Sequence, residues 1–302
     1  MRLELKPWQL LTVAAAGAAA LVVALTWLHP KPVKQDADMV ALLPHDGETI
    51  LYANVAVLQH AGLPDLFASS AEEPEYRQFL SETHFDYTKD IDALAAAMGK
   101  GEFYFVVRGR FDWPRLERYA NSHGGTCVRG SCSAPTSKPG RWASYFPIQS
   151  NVMALAVSTN RNAAAILRPG GQQRDVSMSP QPVWVSVSPA LLNDPTAFPA
   201  PVEIFTSALA QARHVLLSVG GDGTDWSIQL VADCDSPVRA RLMRDSLEER
   251  TSLLRRAFNR THQDANATGL TGMIVDGSFR LAENKVLGIW PLRKAFLDSL
   301  RQ

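Results

Sequence analysis

The sequence lacks an excess of charge of either sign. Its 30 Lys and Arg residues are balanced by 30 Asp and Glu residues, so the net charge is zero when histidines are neutral. A general nucleic-acid-binding protein shows a basic excess, and we therefore expect no nucleic-acid partner. Apolar residues make up 46% of the chain and charged residues 20%. This composition allows a packed core and argues against overall disorder.

Local catalytic motifs are also lacking. The seven histidines are scattered, and no pair has the H-x-x-x-H or H-E-x-x-H spacing of a zinc-binding helix. The sequence contains neither the G-x-S-x-G turn that presents a nucleophilic serine nor a phosphate-binding P-loop. We therefore predict no catalytic residue, no metal site and no cofactor from sequence motifs. A site assembled from distant residues stays open, because catalytic groups need not be neighbours in the chain.

Cysteine is scarce, with three residues in 302. Cys127 and Cys132 flank Arg129-Gly130. If those two residues form a hairpin turn, the cysteines face each other in a non-hydrogen-bonded pair with Cα atoms about 4.5 Å apart. This spacing suits a cross-strand disulfide, which requires an oxidising compartment. Free thiols, or half of a zinc site near His123, are the alternatives. Cys234 is expected to be a small buried residue on a strand.

Against these absences stands one long apolar segment. From Trp8 to Leu28 the chain carries no charge, and a helix needs about 20 apolar residues to cross a bilayer. We predict an uncleaved transmembrane signal-anchor over residues 8–28, with Trp8 and Trp27 near the two membrane interfaces. A cleaved signal peptide or a buried helix is the alternative. The run is longer than the apolar core of a signal peptide, and no good cleavage site lies close to its end.

The flanking charges say little about orientation, because lysines and arginines lie almost symmetrically around the run. We expect residues 1–7 to be cytoplasmic, because the chain beyond the run is long, neutral and easily translocated. The cysteine pair also favours an oxidising compartment. The expected location is the bacterial inner membrane, crossed once, with the body in the periplasm. The lipid bilayer is then a partner through residues 8–28.

The chain beyond the anchor divides by composition. Residues 29–42 contain prolines and charges typical of a stalk, and residues 169–182 are the best linker candidate. We predict a first α+β domain over 43–168 and a second over 183–302. The second has the order β-α-β-β-α-β of a ferredoxin-like, split βαβ unit, which the first resembles loosely. The predicted fold class is therefore α+β, with an N-terminal transmembrane helix and two related ferredoxin-like halves with mostly antiparallel sheets.

Two predicted helices bear on how the core is built. Asp90 is expected to cap a helix over Ile91–Met98, which Gly99 ends. A long helix is predicted from Ser236-Pro237 to about Arg260, with apolar side chains on its inner side at helical spacing. Those inner residues are Val238, Leu242, Met243, Leu247, Leu254 and Phe258.

Four polar residues near the cysteine pair are the candidate ligand-binding residues: Arg108, Arg110, Asp112 and His123. Arg108 and Arg110 alternate on a predicted strand over Glu102–Arg110 and therefore point the same way, where they could meet an anionic ligand. Asp112 is expected to cap the helix that follows. The alternative is that the arginines form the charged face of an edge strand, where charge discourages aggregation, and that His123 is a surface residue.

Three stretches of the first half also carry a resemblance. They are Leu43-Pro-His-Asp46, Phe85-Asp-Tyr-Thr-Lys-Asp-Ile-Asp92 and Arg108-Gly-Arg-Phe-Asp-Trp113. Together they resemble uncharacterised membrane-anchored envelope proteins of acidobacteria and similar bacteria, whose body opens with Leu-Pro-x-Asp. The resemblance implies a bacterial envelope setting. It implies no activity and no site residues, and it does not cover the second half.

Two functions of different classes remain. In the first, one helix tethers a non-catalytic binding or scaffolding module that meets an envelope protein partner or a second copy of itself. In the second, the body is an enzyme or small-ligand binder whose site lies near residues 108–132. A deep pocket that holds the candidate groups would favour the second hypothesis, and scattering of those groups over an open surface would count against it.

Overall fold

The computed structural model describes residues 33–45, 47–61, 74–169, 178–194, 197–198, 200–222, 225–260 and 270–293. The predicted membrane span over residues 8–28 and most of the predicted linker, residues 170–177, lie outside these ranges. Within them, no helix is both long enough and apolar enough to cross a bilayer.

The strands of the described chain form one sheet. In chain order they are β1 (Thr49–Ala53), β2 (Ile91–Gly99), β3 (Glu102–Gly109), β4 (Thr126–Val128), β5 (Ser131–Pro135), β6 (Trp142–Gln149), β7 (Val152–Ser158), β8 (Val183–Val187), β9 (His214–Asp222), β10 (Asp225–Asp233), β11 (Ser278–Ala282) and β12 (Lys285–Pro291). Across the sheet the order is β11-β12-β10-β9-β8-β1-β2-β3-β7-β6-β5-β4.

The helices of the described chain lie on the two faces of this sheet. They are α1 (Asp36–Ala41), α2 (Val55–His60), α3 (Pro74–Thr83), α4 (Tyr87–Asp90), α5 (Trp113–Ser122), α6 (Pro189–Leu192), α7 (Ala200–Leu209), α8 (Pro237–Arg260) and α9 (Leu270–Ile274), together with a 3₁₀ helix over Ala163–Leu167. The mixed α+β class and the antiparallel sheet that the sequence predicts are therefore confirmed.

Two ferredoxin-like halves are not confirmed. In a split βαβ unit, the two strands joined by a helix run parallel, with another strand between them. Here β8 and β9, which are joined through α6 and α7, pair directly and antiparallel. The two halves also share a single sheet, because β1 pairs with β2 on one side and with β8 on the other. Tyr52 of β1 thus lies opposite both Ala95 and Trp184.

Strand β2 occupies the segment for which the sequence predicts a helix. Ile91–Met98 is rich in alanine, which favours helices, yet Ala93, Ala95 and Ala97 lie fully buried on one face of the central sheet. Tertiary context outweighs local propensity here, because β2 lies between β1 and β3 and pairs with both. The cap also shifts: Asp86, and not Asp90, begins the short helix α4 that precedes the strand.

Helix α1 lies in the region predicted to be a stalk. Met39 and Val40 have no exposed surface, and Val33 and Leu43 are buried beside them in the core cluster that contains Trp184. The apolar residues of this short helix cover alanine-lined strands, so burial fixes it on the sheet. Residues 33–42 are therefore part of the folded body, and residues 29–32 lie outside the described ranges.

Successive residues of each strand supply the two faces of the core. In β3, Val106 belongs to the cluster that α1 covers, whereas Val107 belongs to the cluster that contains Leu116 of α5. In the second half, Phe205 of α7 and Leu247 of α8 form a further cluster with the strands. Helix α5 and several aromatic side chains thus pack on the face of the sheet to which Val107 points.

The long helix α8 is confirmed over Pro237–Arg260. Met243 and Leu247 are buried as predicted. Val238 and Leu242 are not on the inner side, because 68% and 64% of their surfaces are exposed. At 3.6 residues per turn these two positions lie on the opposite face of the helix from the buried pair, and the side chain of Phe258 lies outside the described part.

Candidate functional site

Arg108 is held by a partner across the sheet face. Its guanidinium Nη2 lies 2.8 Å from Oδ1 of Asp36 at the start of α1. Both side chains are partly buried. The Tyr52 hydroxyl interacts electrostatically with both Asp36 and Arg108. Burial raises the pKa of the Tyr52 phenol, and the negative charge of the nearby Asp36 carboxylate raises it further. Arg108 therefore joins α1 to the sheet.

Arg110 bonds to a different element. Its guanidinium lies 3.0 Å from Asp90 Oδ1 and also donates to the carbonyl oxygen of Lys89. Glycine at position 109 lets the backbone of β3 pass close to Asp90, because a Cβ there would lie 2.1 Å from the carbonyl oxygen of Asp90. The two arginines are two residues apart in the chain but form ion pairs with different carboxylates, Arg108 with Asp36 and Arg110 with Asp90.

Asp112 and His123 lie at opposite ends of α5. Asp112 caps the helix by accepting a hydrogen bond from the Arg115 N–H at 3.1 Å, as the sequence predicts. His123 stacks on Tyr119 with ring centroids 4.1 Å apart, and its Nδ1 lies 2.9 Å from the Tyr119 carbonyl oxygen. Its Nε2 lies 3.6 Å from a Glu82 carboxylate oxygen.

The four predicted ligand-binding residues therefore do not converge on one site. Each is bonded to a partner of its own, and Arg108, Arg110 and Asp112 do not line the pocket described below. His123 is linked to that pocket, because the Tyr119 ring on which it stacks forms part of its wall.

That cavity, the aromatic pocket, has a volume of about 350 Å³. It opens between α3 and α5 on one side and β5, β6 and β7 on the other. Its lining in the described part of the chain is Phe79, Phe85, Leu116, Tyr119, Ala134, Pro135, Thr136, Ser137, Ala143, Tyr145, Met153 and Leu155. This volume lies near the lower end of the range for small-molecule sites, about 300–1,000 Å³.

The aromatic rings of the pocket brace one another. Phe79 meets Tyr119 edge to face with centroids 5.0 Å apart, and it meets Phe85 in the same manner at 6.2 Å. Phe85 stacks on Phe111 at 5.3 Å. Such contacts contribute about 0.5–1.5 kcal/mol each beyond burial. The wall is therefore preorganised and offers ring faces and edges to an occupant.

Polar groups at the pocket are few, and two of its hydroxyls are already bonded. Tyr145 donates to the Leu116 carbonyl oxygen at 2.7 Å, and burial raises its pKa. The Thr136 hydroxyl lies 3.2 Å from the carbonyl oxygen of Lys138. No residue that lines the pocket in the described chain carries a charge. The site therefore offers apolar contact without an ionic anchor.

A disulfide-bonded hairpin adjoins this pocket. Cys127 of β4 and Cys132 of β5 are paired in register, with sulfurs bonded and Cα atoms 4.0 Å apart. Both turn residues have positive φ, 50° at Arg129 and 77° at Gly130, as a type I′ hairpin requires. Cys132 is buried in the same core cluster as Leu116. Strand β5 then continues directly into Ala134 and Pro135 of the pocket wall.

Comparison with known proteins assigns no family. No family model matches the sequence, and no curated protein matches it. The chain is similar in structure to TP0453 in crystal form I, with a TM-score of 0.47 and 10% identity, covering 87% of this chain and 98% of that one. TP0453 in crystal form IV matches with a TM-score of 0.47 and 9% identity, covering 87% and 96%. At these values the similarity assigns neither a family nor a function.

A serine, a histidine and an aspartate also meet on β8, β9 and β10, an arrangement that sequence reasoning missed. Ser186 Oγ lies 2.9 Å from His214 Nε2, but His214 Nδ1 lies 3.8 Å from Asp233 Oδ2, which is beyond hydrogen-bond distance. Lys285 holds the other carboxylate oxygen at 3.0 Å. Strands β8 and β9 each lie between two neighbours, so their main-chain N–H groups serve the sheet and form no oxyanion hole.

The aromatic pocket could not be read from the sequence, because its residues come from separate stretches of the chain. Two local signals were present. Tyr145 alternates with Ala143 on β6, and Met153 with Leu155 on β7, which places each pair on one face. Which strands neighbour each other, and that α3 and α5 cover them, depends on long-range pairing that no local pattern encodes.

Proposed function

We propose that this chain is a single-pass protein of the bacterial inner membrane, anchored through residues 8–28. Its periplasmic body is a non-catalytic binding module for small, uncharged, apolar molecules. The aromatic pocket is the binding site. The proposal combines the tethered module and the small-ligand binder that the sequence suggests, and it places the ligand beside residues 108–132.

The observation that carries this proposal is the chemistry of the pocket wall. Its rings and aliphatic side chains offer apolar contact, and its described lining has no charged side chain. A charged ligand would lose its hydration without gaining a partner, which is costly. An uncharged apolar ligand gains roughly 25 cal/mol per Å² of surface removed from water. The wall therefore favours neutral apolar molecules over charged ones of the same shape.

Three further observations support a binding role in the envelope. The polar side chains near the pocket, among them Arg110 and Asp112, are engaged in structural bonds. Among the described residues, His214 and Asp233 are too far apart for a hydrogen bond, at 3.8 Å, and the main-chain N–H groups of β8 and β9 are used within the sheet. The disulfide between Cys127 and Cys132 is of the kind that persists in an oxidising compartment such as the periplasm.

The test is a comparison of two probes that differ in charge. Naphthalene and naphthalene sulfonate are titrated into the full chain reconstituted in lipid nanodiscs, with empty nanodiscs as the blank. We expect saturable naphthalene binding and at least tenfold weaker binding of the sulfonate. Ala143→Leu fills the pocket and should weaken naphthalene binding at least tenfold, whereas Ala165→Leu on the exposed 3₁₀ helix should leave it unchanged.

Two results would refute this site. One is equal naphthalene binding by the Ala143→Leu and Ala165→Leu variants. The other is sulfonate binding as tight as that of naphthalene, because it would require a cationic anchor that the pocket wall does not supply.

A further inference from the structure

The 3₁₀ helix over Ala163–Leu167 exposes an isoleucine on the face of the sheet that α1 covers. Ile166 is exposed over 61% of its surface, whereas the next residue, Leu167, is fully buried. Leu167 belongs to the same core cluster as Met39 of α1, and both short helices contact β3. The two helices therefore lie side by side. A single exposed apolar residue is ordinary, so the surroundings of Ile166 decide whether it has a partner.

Two arginines lie beside this helix, each stacked on an aromatic ring. The guanidinium carbon of Arg161 lies 3.6 Å from the centre of the Trp142 ring, and that of Arg168 lies 4.9 Å from the centre of the Phe146 ring. Stacking on a ring face is favourable for a guanidinium and leaves its N–H groups free at the edge. Both arginines are exposed, so those donors can reach an external acceptor.

The two rings set the distance between the guanidinium groups. Trp142 and Phe146 are four residues apart on β6 and therefore lie on one face of the strand, about 13 Å from each other. Ser144, midway between them, accepts a hydrogen bond from the Ala164 N–H at 3.0 Å, which places the 3₁₀ helix between the two arginines. One phosphate cannot bridge that distance. The arrangement therefore suits a surface that carries many phosphates, such as a lipid bilayer.

Positive charge is in excess around the two helices. In the described part of the chain, neither stacked arginine forms an ion pair with a carboxylate. Lys34, just before α1, is also exposed. Asp36 of α1 is already paired with Arg108 at 2.8 Å, and Asp38 accepts hydrogen bonds from main-chain N–H groups at the start of that helix. An anionic surface is therefore favoured over a neutral or cationic one.

The position at which the chain enters the body brings a bilayer within reach. If the proposed membrane span ends at Leu28, four residues remain before Val33, and they cover at most roughly 14 Å. Val33 is buried in the core cluster that α1 and the 3₁₀ helix share. The 3₁₀ helix lies over β3, β6 and β7, next to the strands under α1, and neighbouring strands are about 5 Å apart. The exposed isoleucine therefore lies on the side of the body from which the anchor leaves.

We propose that the 3₁₀ helix rests on the anionic lipid surface of the membrane in which the chain is anchored. Ile166 enters the headgroup layer, and Arg161 and Arg168 donate hydrogen bonds to lipid phosphates on either side of it. This inference rests on the proposed membrane anchor. The contact buries one aliphatic side chain and is weak by itself, but the anchor holds it at a high effective concentration of lipid. The body is then fixed in orientation, with the aromatic pocket on the face turned away from the bilayer.

The test compares two exposed apolar positions on opposite faces of the sheet. Trp184 of β8 lies in the cluster that α1 covers, whereas Val187 lies in the cluster that α8 covers, so α8 packs on the other face. Leu242 of α8 is exposed over 64% of its surface, close to the 61% of Ile166. The control position thus matches the test position in exposure and in side-chain type.

The experiment measures how strongly lipids quench a fluorophore at each position. Ile166→Cys and Leu242→Cys are labelled and reconstituted, as full chains, in vesicles of three parts phosphatidylcholine to one part phosphatidylglycerol. The native cysteines do not interfere, because two are bonded to each other and Cys234 is buried. Brominated lipids should quench the label at position 166 at least three times as strongly as the label at position 242. Equal quenching at the two positions would overturn the proposal.

Charge variants separate the role of the arginines from that of the isoleucine. Adding Arg161→Gln and Arg168→Gln to the labelled Ile166→Cys chain should at least halve the quenching. Adding Arg241→Gln and Arg256→Gln, which removes the same charge from exposed positions on α8, should leave it unchanged. An equal effect of the two pairs would overturn the proposal, because net charge, and not the stacked arginines, would then hold the helix to the lipid.

Failure of the anchor is recognised separately. An anchored chain stays with the vesicles in an alkaline wash, whereas release of the chain would refute the proposed span and this contact with it. A chain that stays but shows no preferential quenching at position 166 refutes the contact alone. Both double variants should still bind naphthalene, because the aromatic pocket lies on the other face of the sheet.

Discussion

Asp86 shows how one carboxylate organises a junction between elements. It caps α4 by accepting from the Thr88 N–H at 3.0 Å, accepts from the Tyr76 hydroxyl at 3.0 Å, and lies 2.9 Å from Lys89 Nζ. Burial alone would raise the pKa of Asp86, but hydrogen bonds from Thr88, Lys89 and Tyr76 outweigh it and lower the pKa to about 2. The folded state therefore favours the ionised form.

This carboxylate gives stability a defined pH dependence. Because the pKa is lowered on folding, the contribution of Asp86 is complete above about pH 4 and is lost as the pH falls toward 2. Asp86→Ala should lower the free energy of unfolding by about 1–2 kcal/mol at pH 7, the usual cost of losing a cap. Urea unfolding between pH 2 and pH 7 measures the effect.

The control for this change is Asn121→Ala, which replaces a neutral side chain at an exposed position on α5; its difference from wild type should not vary across that pH range. A loss in Asp86→Ala that persists unchanged at pH 2 would contradict the assigned role, because it would not depend on the charge of the carboxylate.

Residue-level prediction succeeded where the interaction is local and failed where it is not. The cap at Asp112 depends on an N–H three residues away and can be read from the sequence. The partner of Arg108, Asp36, lies 72 residues away, and no spacing rule points to it. The polar residues between 108 and 123 are close in sequence and therefore suggested a site. In the structure each of them makes a structural contact with a different partner.

At the scale of elements, the cysteine hairpin is determined by its local sequence, whereas strand β2 is determined by residues far away in the chain. The hairpin follows from its two turn residues, which set the register of the strands beside them. The alanines of Ile91–Gly99 have helical propensity, and only the neighbouring strands, far apart in sequence, make them a strand. Elements fixed by their own residues can be predicted, whereas elements fixed by their surroundings cannot.

The hairpin carries a prediction of its own. Replacing both Cys127 and Cys132 by serine frees a six-residue loop, which by chain entropy costs about 2 kcal/mol of stability. Urea unfolding of wild type with reductant should match the double variant without it. The double variant should be insensitive to reductant, and a wild-type protein equally stable in both conditions would contradict a stabilising crosslink.

At the scale of the whole molecule, one sheet runs through both predicted domains. The joint is β1, and Thr49 reinforces it by donating to Ser188 Oγ at 3.0 Å and accepting from the Ser188 N–H at 3.0 Å. The sequence predicts two blocks of strands and helices. It does not show that they share a sheet, because edge-to-edge pairing leaves no mark in composition or periodicity.

At this scale, the residue at which the folded body begins can be tested by truncation. A chain that begins at Val33 should fold as the full chain does, whereas one that begins at Leu43 loses α1. Met39 and Val40 are fully buried, and each contributes about 1.5–3 kcal/mol, so this second truncation should destabilise the body by about 3–6 kcal/mol in urea. Equal stability of the two truncations would show that residues 33–42 act only as a stalk.

Burial of Met39 and Val40 also limits the distance between the folded body and the membrane. If the membrane span ends at Leu28, four residues remain before Val33, and a fully extended chain of that length covers roughly 14 Å. The connection would therefore hold the face of the sheet that α1 covers close to the lipid surface. The aromatic pocket lies over the other face and would take its ligand from the periplasm.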